Sequence, residues 1–128
     1  MSAWTTDELR RVAGADELEI APVRRSGELR RPTPIWAVQV DDALYVRAAY
    51  TPDAGWHGVA RASGRAKISA GGVERDVSVE DAEAAILDRV DAAYREKYGR
   101  RYGSIVDKIN APVHRASTLR LLPEGSCA

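Results

Sequence analysis

Between Ile35 and Tyr50, apolar residues alternate with others on both sides of an Asp41-Asp42-Ala43 turn, which commits this stretch to an antiparallel hairpin. Strand Ile35–Val40 puts Trp36, Val38 and Val40 on one face. Its partner, Leu44–Tyr50, puts Leu44, Val46, Ala48 and Tyr50 on one face, with Tyr45, Arg47 and Ala49 on the other. A second hairpin joins Arg65–Ala70 to Val73–Val79 through Gly71-Gly72, a two-residue turn that tolerates positive φ. That register sets Lys67 opposite Asp76 and Ile68 opposite Arg75.

Other elements follow from caps and periodicity. Trp4–Gly14 reads as a short helix with Thr5 as N-cap and Glu8 completing a capping box. Trp4 and Leu9 then form a hydrophobic staple, and Gly14 supplies the stop. Leu18–Pro22 is a strand, and Val23–Pro34 is a basic loop turning at Ser26-Gly27. Thr51–Gly55 is a loop, and Trp56–Ala62 fits one helical turn or a further strand. Ser78 is expected to cap the main helix, with Asp81 at the box position. Along it Ile86, Val90, Tyr94 and Tyr98 form an apolar stripe ended by Gly99. A shorter helix runs from Tyr102 to Ile109 and stops at Pro112, and Ala116–Leu122 is a last strand. Hairpins in sequence, with helices gathered together, indicate an α+β fold and not a parallel sheet. The expected organisation is one domain over residues 1–128, with an N-terminal helix at 4–14, the main β-core at 17–79, helices at 79–110 and a final strand at 115–122.

Nineteen basic residues balance nineteen acidic ones, which argues against general affinity for nucleic acid or anionic membrane. No apolar run is long enough to cross a bilayer, and Met1–Glu8 lacks the basic and apolar regions of a secretory leader, so the expected compartment is the cytoplasm. A single cysteine, Cys127, rules out a disulfide framework and a cysteine-based zinc site. His57 and His114 lack metal-ligand spacing, so no metal is expected. Walker, dinucleotide-binding and nucleophile-elbow motifs are all missing.

The cations are the informative group. Arg24, Arg25, Arg30 and Arg31 bracket the basic loop, and Arg61, Arg65 and Lys67 follow the Trp56 segment. Arg47 interrupts an apolar strand, where an unpaired buried charge is costly. It has three readings: a clamp on a phosphate through its guanidinium fork, a partner for a carboxylate, or a surface residue.

The stretches Arg25-Ser26-Gly27, Arg31–Trp36 (RPTPIW), Leu44–Tyr50 (LYVRAAY) and Trp56 resemble the split-barrel flavin- and deazaflavin-binding proteins, a superfamily that includes the pyridoxamine-phosphate-oxidase-like and nitroreductase-like branches. With Ala70–Val77 (AGGVERDV), Val90–Gly99 (VDAAYREKYG) and Thr118–Leu121, the whole chain is similar to the bacterial family DUF2255. The resemblance implies an antiparallel split β-barrel of about six strands with flanking helices. It also implies a homodimer, with FMN or F420 bound at the subunit interface. Arg47 and Ala48 at the strand end, with Arg61, Arg65 and Lys67, become candidate contacts for the cofactor and its phosphate. Trp56 becomes a wall for its ring. The implied activity is an oxidoreductase acting on a small organic substrate, or else a non-catalytic small-molecule-binding module that keeps the barrel. Tyr45, Tyr50 and His57 are candidate proton donors, with packing against the sheet as the simpler role for both tyrosines. The chain departs from the pattern at Ala48-Ala49, where a serine or threonine is common, and at Trp56-His57, where the deazaflavin branch has Trp-Tyr.

Overall fold

The computed structural model describes residues 4–49, 52 and 55–124. Seven strands form one antiparallel sheet in the order β2-β1-β5-β6-β7-β4-β3. The strands are β1 (Leu18–Pro22), β2 (Thr33–Ile35), β3 (Ala37–Val40), β4 (Ala43–Val46), β5 (Arg65–Ala70), β6 (Val73–Asp81) and β7 (Leu119–Pro123). The edge strands β2 and β3 are consecutive in the chain, separated only by Trp36. One bent segment, Thr33–Val40, therefore pairs with β1 at one end and with β4 at the other, nearly closing the sheet into a barrel. The continuous strand expected at Ile35–Val40 is thus divided. Its bend is held by the Trp36 ring, stacked on Tyr98 with centroids 4.0 Å apart and planes 3° from parallel.

The second hairpin follows the expected register, with Lys67 opposite Asp76 and Ile68 opposite Arg75. In the first, Val40 pairs with Ala43, so the turn is Asp41-Asp42 and Ala43, expected in the turn, belongs to β4. Gly71 and Gly72 both take positive φ. The alternation in β4 also separates two cores. Leu44 and Val46 point into the barrel with Ile20, Ile68, Val77 and Leu121. Tyr45 and Ala49 face out with Val38 and Val40. The strand stops at Val46, so Arg47 follows it and does not interrupt it. Tyr50 and most of the expected Thr51–Gly55 loop lie outside the described residues.

Helix α1 (Thr6–Gly14) has the expected capping box, in which Thr5 Oγ1 accepts from the Glu8 amide and the Glu8 carboxylate accepts from the Thr5 amide. It brings Leu9 and Val12 into the barrel core, where the Trp4 indole N–H donates to Leu121 O at 3.0 Å. The Trp56 segment is helical, α2 (Gly55–Ser63), and contributes Ala60 to the same core.

Helix α3 (Leu87–Ile109) lies across the outer face of β3 and β4 and buries Val90, Tyr94, Tyr98, Val106 and Ile109. The apolar stripe is as expected, but its boundaries are not. Ser78 does not cap it: β6 runs on to Asp81, pairing Val79 with Leu121, and a 3-10 turn at Ala84–Ile86 precedes the helix. The alternation Val73, Val77, Val79 outweighs the local capping signature because each of these side chains gains a place in the barrel core. Gly99 does not end the helix either. The chain kinks at Tyr102 (φ −134°, ψ 42°), beside the Gly103-Ser104 pair, and the expected Tyr102–Ile109 helix continues from there. Pro112 starts a short helix, α4 (Pro112–Arg115), in a position where its missing N–H costs nothing.

Candidate functional site

A cavity of about 250 Å³ opens where the bend at Trp36, the end of β4, the start of α2 and the last turns of α3 meet. Trp36, Trp56, Ile35 and Ile105 supply its apolar walls, and Glu17 and Arg47 its charged ones. Both indoles are half-buried. Trp56 is held edge-on against the His57 ring at 5.5 Å, and His57 is buried, its Nε2–H donating to Ser117 O at 2.9 Å.

Arg47 borders this cavity, but its donors point away into the protein. Nε donates to Thr118 Oγ1 (2.7 Å), Nη1 to Asn110 Oδ1 (2.9 Å) and Ile109 O (3.4 Å), and Nη2 to Leu87 O (3.3 Å). Asp91 Oδ1 stands 2.6 Å from Nη1, a close charge contact beside those hydrogen bonds, while Asp91 Oδ2 takes Arg115 Nε at 3.0 Å. The Tyr94 ring lies under the guanidinium, 5.4 Å from its centroid. Of the three readings of Arg47, the geometry is that of a carboxylate partner in a buried network where each guanidinium nitrogen has a partner. The next residue, Ala48, is buried. Its amide donates to Ser117 Oγ (2.9 Å) and its carbonyl accepts the His114 Nδ1–H (2.8 Å). Residues 114–118 thus clamp the end of β4, a role that no motif in the sequence signals.

The other cations expected at the site lie apart from this cavity. Arg61 forms a two-pronged pair with Asp81 (2.9 and 3.0 Å), Arg65 pairs with Glu124 (3.1 Å), and Lys67 pairs with Glu74 (3.0 Å), not with Asp76 directly opposite. The structure therefore brings together Trp56 and Arg47 from the expected set, and leaves out Arg61, Arg65 and Lys67. It adds Trp36, and Arg30 stands behind the cavity-lining Thr33. The Arg30 Nη1 donates to Thr33 Oγ1 (3.2 Å), and Nη2 lies 3.8 Å from where a Cβ on Gly55, the residue before Trp56, would stand. Among the described residues no group of three or more potential ligands could hold a metal ion, and no helix is long and apolar enough to cross a membrane.

On the other side of Trp36, burial pushes the Lys97 amine down to about 8 and raises the Tyr94 and Tyr98 hydroxyls well above their usual range. These shifts set a pH dependence. From pH 8 to about 10 the unfolded chain holds a proton on Lys97 that the fold has released, so stability is expected to rise with pH. Above about 10 the unfolded tyrosines ionise while the buried ones stay protonated, so stability falls. Urea midpoints measured from pH 7 to 11 should pass through a maximum, and Lys97→Met should flatten the rising limb.

The DUF2255 family, described as "Uncharacterized protein conserved in bacteria", matches residues 8–121. Among solved structures, the heme storage protein HutZ from Vibrio cholerae is similar, with 18% identity over 94% of this chain and 88% of that one, at a TM-score of 0.67. An FAD-binding protein from Mesorhizobium loti is 16% identical over 96% of this chain and 92% of its own, at a TM-score of 0.61. The conserved hypothetical protein Rv2991 from Mycobacterium tuberculosis is 15% identical over 98% and 82%, at a TM-score of 0.60. A search of the curated proteins returns no match. At these identities the likeness is one of fold, a split barrel with flanking helices. Because the match runs through nearly all of the barrel and the helices that flank it, the chain belongs to the DUF2255 family.

Proposed function

We propose that this protein binds a flavin-type cofactor, FMN or F420, with the ring system seated between Trp36 and Trp56 and the phosphate-bearing tail directed to Arg30. The observation that carries this reading is the cavity itself, which two half-buried indoles line together. Flat, polarisable walls suit a planar heteroaromatic ring. At about 250 Å³ the cavity has room for a ring but not for a complete cofactor, so the tail must leave it. Arg47, Arg61, Arg65 and Lys67 are each engaged by a carboxylate of this chain. Arg30, whose described partner is the neutral hydroxyl of the cavity-lining Thr33, is the nearby cation that suits a phosphate. A second copy of the chain, covering the exposed Tyr102 and Ile105 beside the cavity, would supply the remaining wall, and we propose a homodimer on that ground.

A flavin supplies hydride and electron transfer when bound, and the oxidoreductase reaction on a small organic substrate would be its chemistry. The chain's residues exclude water from the ring through Ile35, Ile105 and the two tryptophans, and hold the site rigid through the Arg47 network. Heme fits this cavity less well. Its described lining carries no histidine, cysteine, methionine or tyrosine to ligate iron.

Titration of FMN into the protein should quench flavin fluorescence. Trp56→Ala should weaken binding by a factor of roughly 2–10, equivalent to about 0.5–1.5 kcal/mol of ring stacking. Arg30→Ala should weaken FMN but leave riboflavin, which lacks the phosphate, unchanged. No quenching of FMN or F420 at tens of micromolar would end the proposal.

A further inference from the structure

The chain has three lysines against sixteen arginines, and one of the three is placed unlike the others. Lys97 projects from α3 beside a groove of about 380 Å³ bounded by Ala13 of α1, Val38 and Gln39 of β3, and Ala93 and Glu96 of α3. Its Nζ donates to the Ala37 carbonyl at 2.7 Å and lies 5.0 Å from the centre of the Tyr98 ring. The groups it touches are neutral. The Tyr98 hydroxyl donates to Asp16 O and to the same Ala37 carbonyl. Two carboxylates lie nearby. Asp16, from the α1–β1 junction, has its own partner in Arg101 at 3.2 Å, and Glu96 lines the groove. By contrast, Lys67 is ion-paired with Glu74 and Lys108 is exposed on the last turn of α3.

We propose that Lys97 is a nucleophilic amine at a small-ligand groove, and that the groove takes small apolar aldehydes, which Lys97 binds as imines. The argument begins with the amine's surroundings. Burial disfavours the charged form of a partly buried lysine, and a carbonyl and a ring face oppose that less than a paired carboxylate would. Burial holds its amine near a pKa of about 8, so roughly half is neutral at that pH. The neutral amine keeps one N–H on Ala37 O, which orients the nitrogen while its lone pair stays free.

In the bond-forming step that lone pair attacks the carbonyl carbon, the carbonyl π pair moves to oxygen, and one of the two N–H protons passes from nitrogen to that oxygen, giving a neutral carbinolamine. Loss of water, made from that oxygen and a proton from nitrogen, leaves the C=N bond. No oxidant or reductant is needed. Ala13, Val38 and Ala93 provide an apolar wall for a short alkyl chain, and Glu96 is the lining carboxylate able to carry the proton to the departing oxygen.

The test treats the full chain with propionaldehyde, traps imines with borohydride, and locates modified lysines by peptide mass spectrometry. At pH 8 Lys97 should label about tenfold or more faster than Lys67, which is ion-paired with Glu74, and Lys108. Its rate should level off above a midpoint near pH 8. Ala93→Met, which narrows the groove, should slow Lys97 and leave Lys67 unaffected. Equal labelling of the three lysines, or a Lys97 rate still climbing through pH 10, would overturn the proposal using the unmutated protein alone. An unchanged Lys97 rate in Ala93→Met would overturn the groove as the ligand site.

Discussion

Arg47→Ala is expected to cost about 3–5 kcal/mol of folding stability, the largest effect of any single substitution considered. The side chain is fully buried, and its removal leaves Asp91 beside a void with one of its two arginine partners gone. It also strips a donor from Thr118 Oγ1, Asn110 Oδ1 and the carbonyls of Leu87 and Ile109. These acceptors come from both ends of α3 and from the start of β7, so the arginine ties the helix to the barrel at several points. Urea denaturation should give a lower midpoint with an unchanged slope, and Arg47→Lys should recover only part of the loss because an ammonium cannot reach four directions at once. A loss below about 1 kcal/mol together with a collapse of FMN affinity would return Arg47 to the role of ligand clamp.

Gly71→Ala should be the next most damaging substitution. The residue sits at φ +56°, where a side chain costs about 1–2 kcal/mol. An added Cβ would also lie 2.2 Å from the Arg11 carbonyl oxygen and 2.7 Å from its carbon, both of which are backbone atoms of α1. Relieving that overlap means moving the helix off the barrel end, a further cost of about 1–3 kcal/mol. Gly72→Ala makes the comparison, since its φ is also positive (+83°) but the nearest atom is the movable Arg11 Nη1 at 3.6 Å. Thermal melts should place Gly71→Ala well below Gly72→Ala, and equal melting points would show that α1 does not press on the turn.

Much of the barrel was legible along the chain because the relevant signals are local or strictly periodic. The Gly71-Gly72 turn, the Thr5–Glu8 box and the two faces of Leu44–Ala49 depend on neighbours a few residues away. Where two local signals competed, the sequence offered no scale on which to weigh them. Ser78 and Asp81 form a sound capping box, yet the same residues extend β6, because pairing with β7 is available only once the distant C-terminal strand is in place.

The site was legible in its aromatic half. Trp56 was visible as a candidate wall, but Trp36 read only as one member of a strand face. Its part in the cavity depends on the bend between β2 and β3 and on the Tyr98 ring that holds it.

The charged half shows most clearly what the sequence determined and what it left to the tertiary structure. From sequence, Arg47 shares a face with Tyr45 and Ala49 and needs either a partner or an exit to water. Which partner was decided by the fold: Asp91 and Asn110 on α3 and Thr118, 71 residues away, beside β7. Alternation fixes the side on which a residue points because it is a property of the backbone. A charge takes as its partner whichever group the packing brings within a few ångströms, and only the assembled fold sets those distances.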